Sequence, residues 1–406
     1  MPPNVLIITR VDAVSPSATA ARLRAVSKGL NSIGAKASIL WLTNPQTEVN
    51  DALAVEKQQM FGFRSSSKMP GKYLAYLNRW SATLRMPSFL KKSHQATPID
   101  AVYLYGLLLP ERFAIFSFCD KHKIPIMDDI TEYPYLGREK KLIRKLEYSL
   151  FMNHFLPRVS AALCITKGIE VFIAKYLGEK ATNTIISNFG IIVEYDKFSQ
   201  APQQSGAAEK FGDYLAYAGT MYGTKDGMPE LVRAFSLSLK THPQLKLVII
   251  GDNTKKDRMR DLLAAVKECN CADSIHFTGR ISWELMHEYL CGAQALVLAK
   301  PDNEQNDGCF PTKLGEYLSC GRPVITTSVG DIPLFLQDGV NSYLAEPGNV
   351  TDFAAKINEC LENPQQSAVI AENGKALAND VFNYTSRAQE LVELISLIKK
   401  RERKQG

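Results

Sequence analysis

Ala295-Leu296-Val297-Leu298, the polar Lys300-Pro301-Asp302-Asn303-Glu304-Gln305-Asn306-Asp307-Gly308, and then Phe310-Pro311-Thr312-Lys313-Leu314-Gly315-Glu316-Tyr317-Leu318-Ser319-Cys320-Gly321-Arg322-Pro323-Val324-Ile325 form the stretch from which the fold is read. The short apolar run reads as a buried strand. Pro311 suits the first position of a helix, where its missing N–H has no intrahelical partner to lose, and Gly321 suits the position just past a helix end. Pro323 opens the next strand. Strand, loop, short helix, strand is a crossover unit, and such a crossover makes its two strands parallel. The helix therefore starts where a strand ends, with unpaired N–H groups at its head. Thr312 and Glu316 are four apart and share a face there. A carboxylate one turn into a helix is explained either as a partner of the helix dipole or as an acceptor for two hydroxyls of a ribose.

The same alternation runs outward in both directions. Upstream it predicts strands over 214–218, 246–250 and 275–277, with helices between them, and downstream over 323–326 and 342–344. An earlier series has strands near 4–8, 37–41, 101–105, 125–128, 162–165 and 185–187. Between the two series, 199–209 is rich in Gln, Pro, Ser, Gly and Ala, which is linker chemistry. The expectation is an α/β chain of two Rossmann-like, doubly wound domains: 1–198, a linker at 199–209, then 210–380. A final helix within 381–406, ending in a basic tail, is expected to pack back toward the first domain. In such sheets ligands sit beyond the carboxyl ends of the strands, so a cleft between the domains is where chemistry is expected.

Composition agrees with a soluble globular chain. Of 406 residues 45% are hydrophobic and 22% charged, with a net charge of +6. No apolar run approaches the roughly 20 residues that span a bilayer. Met1-Pro2-Pro3-Asn4 runs straight into Val5-Leu6-Ile7-Ile8 with no signal-peptide pattern, so a cytoplasmic location is expected. The eight scattered cysteines fit a reducing compartment, and Cys269-Asn270-Cys271 lacks the further ligands a zinc site needs.

A second loop of the same kind follows the strand at 214–218: Gly219-Thr220-Met221-Tyr222-Gly223-Thr224-Lys225-Asp226-Gly227. Its glycines allow close backbone approach to a ligand, and Lys225 offers a point charge suited to a diphosphate. With Val248-Ile249-Ile250-Gly251-Asp252, Ile275-His276-Phe277-Thr278-Gly279 and the Phe310–Val324 stretch, the region 217–346 resembles the donor domain of the family 4 retaining glycosyltransferases, which have the GT-B fold. Ser187-Asn188-Phe189-Gly190 and Phe382 extend the resemblance over most of the chain.

The resemblance implies that Glu316 binds the donor ribose and Lys225 the diphosphate, with the amides after Phe310 facing the phosphates. Gly219, Thr220, Gly251, Asp252, Arg280, Glu304, Gly308, Pro311, Thr312, Lys313 and Leu314 complete the implied donor set. Two positions depart from the pattern. The family's first glutamate is Gly308 here, with Glu304 and Asp307 nearby, and its usual arginine is Thr220. Either another basic residue, such as Lys313 or Arg280, supplies the missing charge, or the donor is held more weakly than is usual in the family. No histidine stands where the family usually has one near the reacting sugar; Asp129 and Glu132, in the loop leaving the strand at 125–128, are the candidates for catalysis and acceptor binding. Ser15, Ser17 and Thr19 resemble a loop that closes over the donor. The implied activity is retaining transfer of a hexose-type sugar from a nucleotide-diphosphate sugar to a glycan or lipid-linked glycan in surface polysaccharide assembly, with no metal or cofactor. The rival readings are a nucleotide-sugar epimerase of the same fold and an inactive sugar-nucleotide-binding scaffold.

Lys57, Arg64, Lys68, Lys72, Arg79, Arg85, Lys91 and Lys92 are interleaved with aromatic residues and no acid. That pattern reads either as a surface for anionic lipid at the inner face of the cell membrane or as a solvated basic segment. No nucleic-acid motif is present.

Overall fold

The computed structural model of the chain describes residues 2–11, 17–42, 72–134, 142–178, 183–200, 206–221, 223–252, 254, 256–308 and 310–405. It divides into two units, 1–192 with 384–406, and 193–383.

The first unit contains a six-stranded sheet: β1 (Asn4–Thr9), β2 (Lys36–Trp41), β3 (Ala101–Tyr105), β4 (Ile126–Ile130), β5 (Ala161–Cys164) and β6 (Ile185–Asn188). All pairs are parallel, in the order β2-β1-β3-β4-β5-β6. The second has β7 (Tyr214–Ala218), β8 (Lys246–Ile250), β9 (Ile275–Gly279), β10 (Ala295–Leu298), β11 (Val324–Thr327) and β12 (Tyr343–Ala345), again all parallel, in the order β12-β11-β10-β7-β8-β9. Near-continuous apolar runs such as Leu215-Ala216-Tyr217 and Leu296-Val297-Leu298 form strands of this kind because helices cover both faces of the sheet, and these residues are fully buried.

Strand order decides where a ligand can sit. In the second sheet the winding reverses between β7 and β10, so the loops leaving those two strands diverge to opposite faces and leave a crevice between them. The two Gly- and Pro-marked loops of the sequence are those loops.

The division between units differs from the expected one. It falls at Ile192/Val193, not in the polar stretch 199–209, and the helix Tyr195–Ser199 belongs to the second unit. The cause is Phe198, which is buried with its ring edge-on to Trp283 at 4.8 Å. Residues 201–205 of the polar stretch lie outside the described residues. The helix Tyr384–Gln405 belongs to the first unit, where Ala388, Leu391, Ile395 and Ile398 share a core with Leu23 and Val26 of the helix Ala18–Ser32.

Candidate functional site

In the second unit, the ends of β7, β8 and β10 are drawn together by glycines. A Cβ on Gly219 would lie 2.4 Å from the Lys313 Nζ, and one on Gly251 would lie 2.0 Å from the Gly219 carbonyl oxygen, so neither position accepts a side chain. Tyr317, fully buried in the helix Thr312–Ser319, ties that helix to β7: its hydroxyl accepts from the Ala218 N–H at 2.7 Å and donates to the Ala218 carbonyl at 3.3 Å.

One turn earlier, Lys313 donates to the Tyr217 hydroxyl at 3.0 Å and lies 3.4 Å from Asp226, with its ammonium over the Tyr217 ring. Asp226 also accepts from the exposed Thr220 hydroxyl at 3.1 Å. Burial pushes the Asp226 carboxyl up, but Lys313, Lys300 and these hydrogen bonds outweigh it and hold it below the ordinary range. Thr220 thus points at an internal acid, and Lys313 brings positive charge to the same place. Lys225 lies beside Asp226 on the turn Gly223–Asp226, half-buried.

Glu316, on the same helix, is half-buried, and among the described residues its carboxylate has no hydrogen-bond or ion-pair partner. Burial pushes its pKa up to about 7, against the nearby Lys313 and Lys197 and with Glu194 adding to the rise. A carboxyl kept partly from water and given no protein donor is poised to accept hydroxyls from a ligand.

The remaining members of the donor set have mixed roles. Asp252 accepts from the Thr254 hydroxyl at 2.5 Å, from the Thr254 N–H at 3.0 Å and from Arg280 at 2.9 Å, and these bonds, the hydroxyl's foremost, take its pKa down to about 2. Arg280 is therefore engaged with Asp252, and of the two expected substitutes for the arginine it is Lys313 that lies against the β7 loop. Phe310 is a core residue, packed edge-on to Phe335 at 5.3 Å, and Leu314 is fully buried. Pro311 caps the helix that begins at Thr312, one position earlier than its expected place inside it, and Thr312 is half-buried. Gly308 ends the short helix Glu304–Asp307; the Glu304 side chain lies outside the described residues.

In the first unit, alternation along β4 sends Asp128 and Asp129 to opposite faces of the sheet. Asp128 pairs with Arg112, and burial pushes its pKa up despite that partner. Asp129, expected to meet the acceptor, is 5% exposed and saturated: it accepts from Arg22 Nε at 2.8 Å, Arg22 Nη2 at 3.1 Å and the Tyr103 hydroxyl at 2.6 Å. Arg22 also donates to the Gly190 carbonyl at 2.6 Å, so the pair joins β4 to the helix Ala18–Ser32 and to the chain after β6. Both Asp129 oxygens are thus engaged inside the fold, an arrangement suited to a structural ion pair. Glu132 is exposed and lines an open pocket of about 340 Å³ with Tyr105, Leu108, Thr131, Glu147 and Phe151. Ser17 caps the helix Ala18–Ser32 by accepting from the Ala20 N–H, and Thr19 bonds the Tyr105 hydroxyl at 3.3 Å; Ser15 lies outside the described residues.

Sequence reasoning missed Arg22, Arg112, Lys300 and Tyr317. Arg22 was visible as a charge inside the apolar stripe of its helix, and Lys300 as one two residues past a fully buried strand.

Residues 212–363 match the family described as glycosyl transferases group 1. An uncharacterised glycosyltransferase of Methanocaldococcus jannaschii is 28% identical over 31% of this chain and 34% of its own length. The GDP-mannose-dependent alpha-(1-6)-phosphatidylinositol monomannoside mannosyltransferase of Mycolicibacterium smegmatis is 24% identical over 42% of this chain and 45% of its own. This chain thus spans less than half the length of these curated relatives. The crystal structure of Anabaena HepE in complex with UDP and glucose covers 97% of this chain and 99% of that one, at a TM-score of 0.71 and 16% identity. The chain has the GT-B fold, and its residues 212–363 are similar to the glycosyl transferases group 1 family.

Proposed function

We propose that this protein is a retaining glycosyltransferase that takes a sugar from a nucleotide-diphosphate donor and passes it to a glycan or lipid-linked glycan acceptor in surface polysaccharide assembly. The observation that carries the reading is Glu316: a partly buried carboxylate without a partner among the described residues, on a helix whose head adjoins the Gly-rich loop at the sheet's switch point. The glycosyl transferases group 1 match over the same residues supports it, as does HepE, a GT-B structure that holds UDP and glucose. The phosphatidylinositol mannoside acceptor named for the Mycolicibacterium relative supports a lipid-linked acceptor.

In this reading Glu316 accepts the ribose hydroxyls, and Lys225 with the amides at the head of the helix meets the diphosphate. The bond from the sugar's anomeric carbon to the phosphate oxygen breaks as the bond to the acceptor oxygen forms on the same face. The acceptor's proton passes to the departing phosphate, so no protein base is required. The first unit's pocket, with the hydroxyls of Tyr105 and Thr131 and the carboxylate of Glu132, takes the acceptor. Incubation with UDP-, GDP- and ADP-hexoses and candidate acceptors, followed by NMR of the product's anomeric configuration, tests the reading. An inverted product, or turnover to an epimer without transfer, overturns it.

Lys225→Ala is expected to weaken a nucleoside diphosphate about tenfold and its nucleoside hardly at all, since only the former meets the ammonium. Equal losses in calorimetric titrations would mean that the loop had merely been loosened.

Membrane contact is part of the proposal. Residues 57–71 of the basic stretch lie outside the described residues, but the helix Lys72–Ala96 exposes Leu84, Arg85, Lys91 and Lys92. Each cation near an anionic surface contributes about 1 kcal/mol. Sedimentation with anionic vesicles should therefore be weak, should fade in 1 M salt, where the Debye length is about 3 Å, and should fall with Arg85→Glu and Lys91→Glu together. Binding unchanged by that double change leaves the stretch a solvated surface.

A further inference from the structure

Lys300 follows β10 and is 1% exposed, an unusual place for an ammonium. Burying such a charge is costly unless it is paired and hydrogen-bonded. Lys300 Nζ donates to the carbonyl of Lys225 at 3.1 Å, and Asp226, next in the chain, supplies the opposite charge. The Lys300 carbonyl is itself held by the Thr327 hydroxyl at 2.7 Å, which fixes the lysine to β11.

A second donor meets the same carbonyl. Asn306 is fully buried, and its Nδ2 donates to the Lys225 carbonyl at 3.3 Å and to the Pro301 carbonyl at 2.7 Å. Turning the amide over would set its oxygen against two carbonyls, so its orientation is determined. The consequence is an Oδ1 that is buried without a partner among the described residues. An unpaired buried acceptor is unfavourable, and it persists here because both donors are used. The backbone closes the same joint: Gly227 stands so near the Ala299 carbonyl that a Cβ would lie 1.6 Å from its oxygen.

We propose that Lys300 and Asn306 are positioning residues for the donor's diphosphate: together they hold the Lys225 carbonyl and so fix the turn that carries the Lys225 ammonium, and Lys300 adds a fixed positive charge that threonine at 220 does not supply. This rests on the donor reading above. A lysine in this buried position is set by β10 and β11, so the turn is pinned to the sheet before any ligand arrives.

The test is calorimetric titration of wild type, Lys300→Met and Asn306→Ala with UDP, GDP and ADP, each beside its nucleoside. Methionine keeps an unbranched apolar stem and loses the ammonium. For the diphosphate that the wild type binds, Lys300→Met should lose roughly 10- to 30-fold, and Asn306→Ala about three- to fivefold, while the nucleosides lose less than about twofold. A role confined to stability would lower the melting temperature and leave the ratio of diphosphate to nucleoside affinity unchanged in both variants, and that result overturns the assignment. Should Lys300→Met fail to melt cooperatively, Asn306→Ala decides alone on the same ratio. A wild type that binds none of the three diphosphates overturns the donor reading and this inference with it, whereas wild-type binding with parallel losses overturns only the inference.

Discussion

Glu316→Gln should weaken nucleoside diphosphate binding by about 10- to 100-fold, the equivalent of a hydrogen bond to a charged group at about 1.5–3 kcal/mol, while the protein stays folded. The change keeps shape and removes only the charge. It should also remove a pH dependence. Because the Glu316 pKa is raised to about 7 and the ionised form accepts the ribose hydroxyls, affinity for the nucleoside should fall about tenfold as pH drops from 8 to 6 in the wild type and stay level in the variant. The nucleoside is the right ligand, since a diphosphate titrates in the same range. Stability moves the other way. A carboxyl whose folded pKa is above its unfolded value favours the folded state at low pH, and that contribution is lost as pH rises from the unfolded value through 7. The glutamine variant should therefore melt no lower than the wild type at pH 8. A variant that binds normally and melts lower would make Glu316 a partner of the helix dipole instead.

Asp129→Asn is expected to destabilise the first unit by about 3–5 kcal/mol, because it leaves the Arg22 guanidinium buried without its anion. Arg22 is 2% exposed; burial opposes its charge, and Asp129 outweighs that to hold the guanidinium above its ordinary value. The substitution also disturbs the Tyr103 hydroxyl, which donates to the same carboxylate at 2.6 Å. Urea unfolding followed by circular dichroism measures the effect. A loss below about 1 kcal/mol, the range of exposed pairs, would mean that Asp129 is not structural and would return it to the list of catalytic candidates. Glu132, exposed two residues past the end of β4, should by contrast be replaceable without loss of stability.

These two residues show what the chain discloses before it is folded. The strands were legible because helices cover both faces of each sheet, so Val5–Ile8 and Leu296–Leu298 are apolar at every position. The two loops of the proposed donor site were legible as loops because they lie close in sequence to the strands that present them. Asp129 was not, since its partner Arg22 stands 107 positions away and only the sheet order brings them together. Lys300 was hidden for a related reason: a lysine just past a strand end is ordinarily solvated, and its burial depends on Asp226 and on the Lys225 carbonyl, which reach it from the turn that follows the adjacent strand β7. The unit boundary escaped because a single buried ring, Phe198, outweighs the polar composition that follows it.

The central claim, that residues 193–383 hold a nucleotide-diphosphate donor through Glu316, is tested most directly by a thermal-shift screen of UDP, GDP, ADP and dTDP against the wild type and Glu316→Gln. At 100 times its dissociation constant a ligand stabilises the form it binds by about 2.7 kcal/mol, which for a unit of this size raises the melting temperature by roughly 5–10 °C. The account predicts such a rise with at least one of the four in the wild type, and a smaller rise at the same concentration in Glu316→Gln. No rise with any of them, or equal rises in the two proteins, would contradict it.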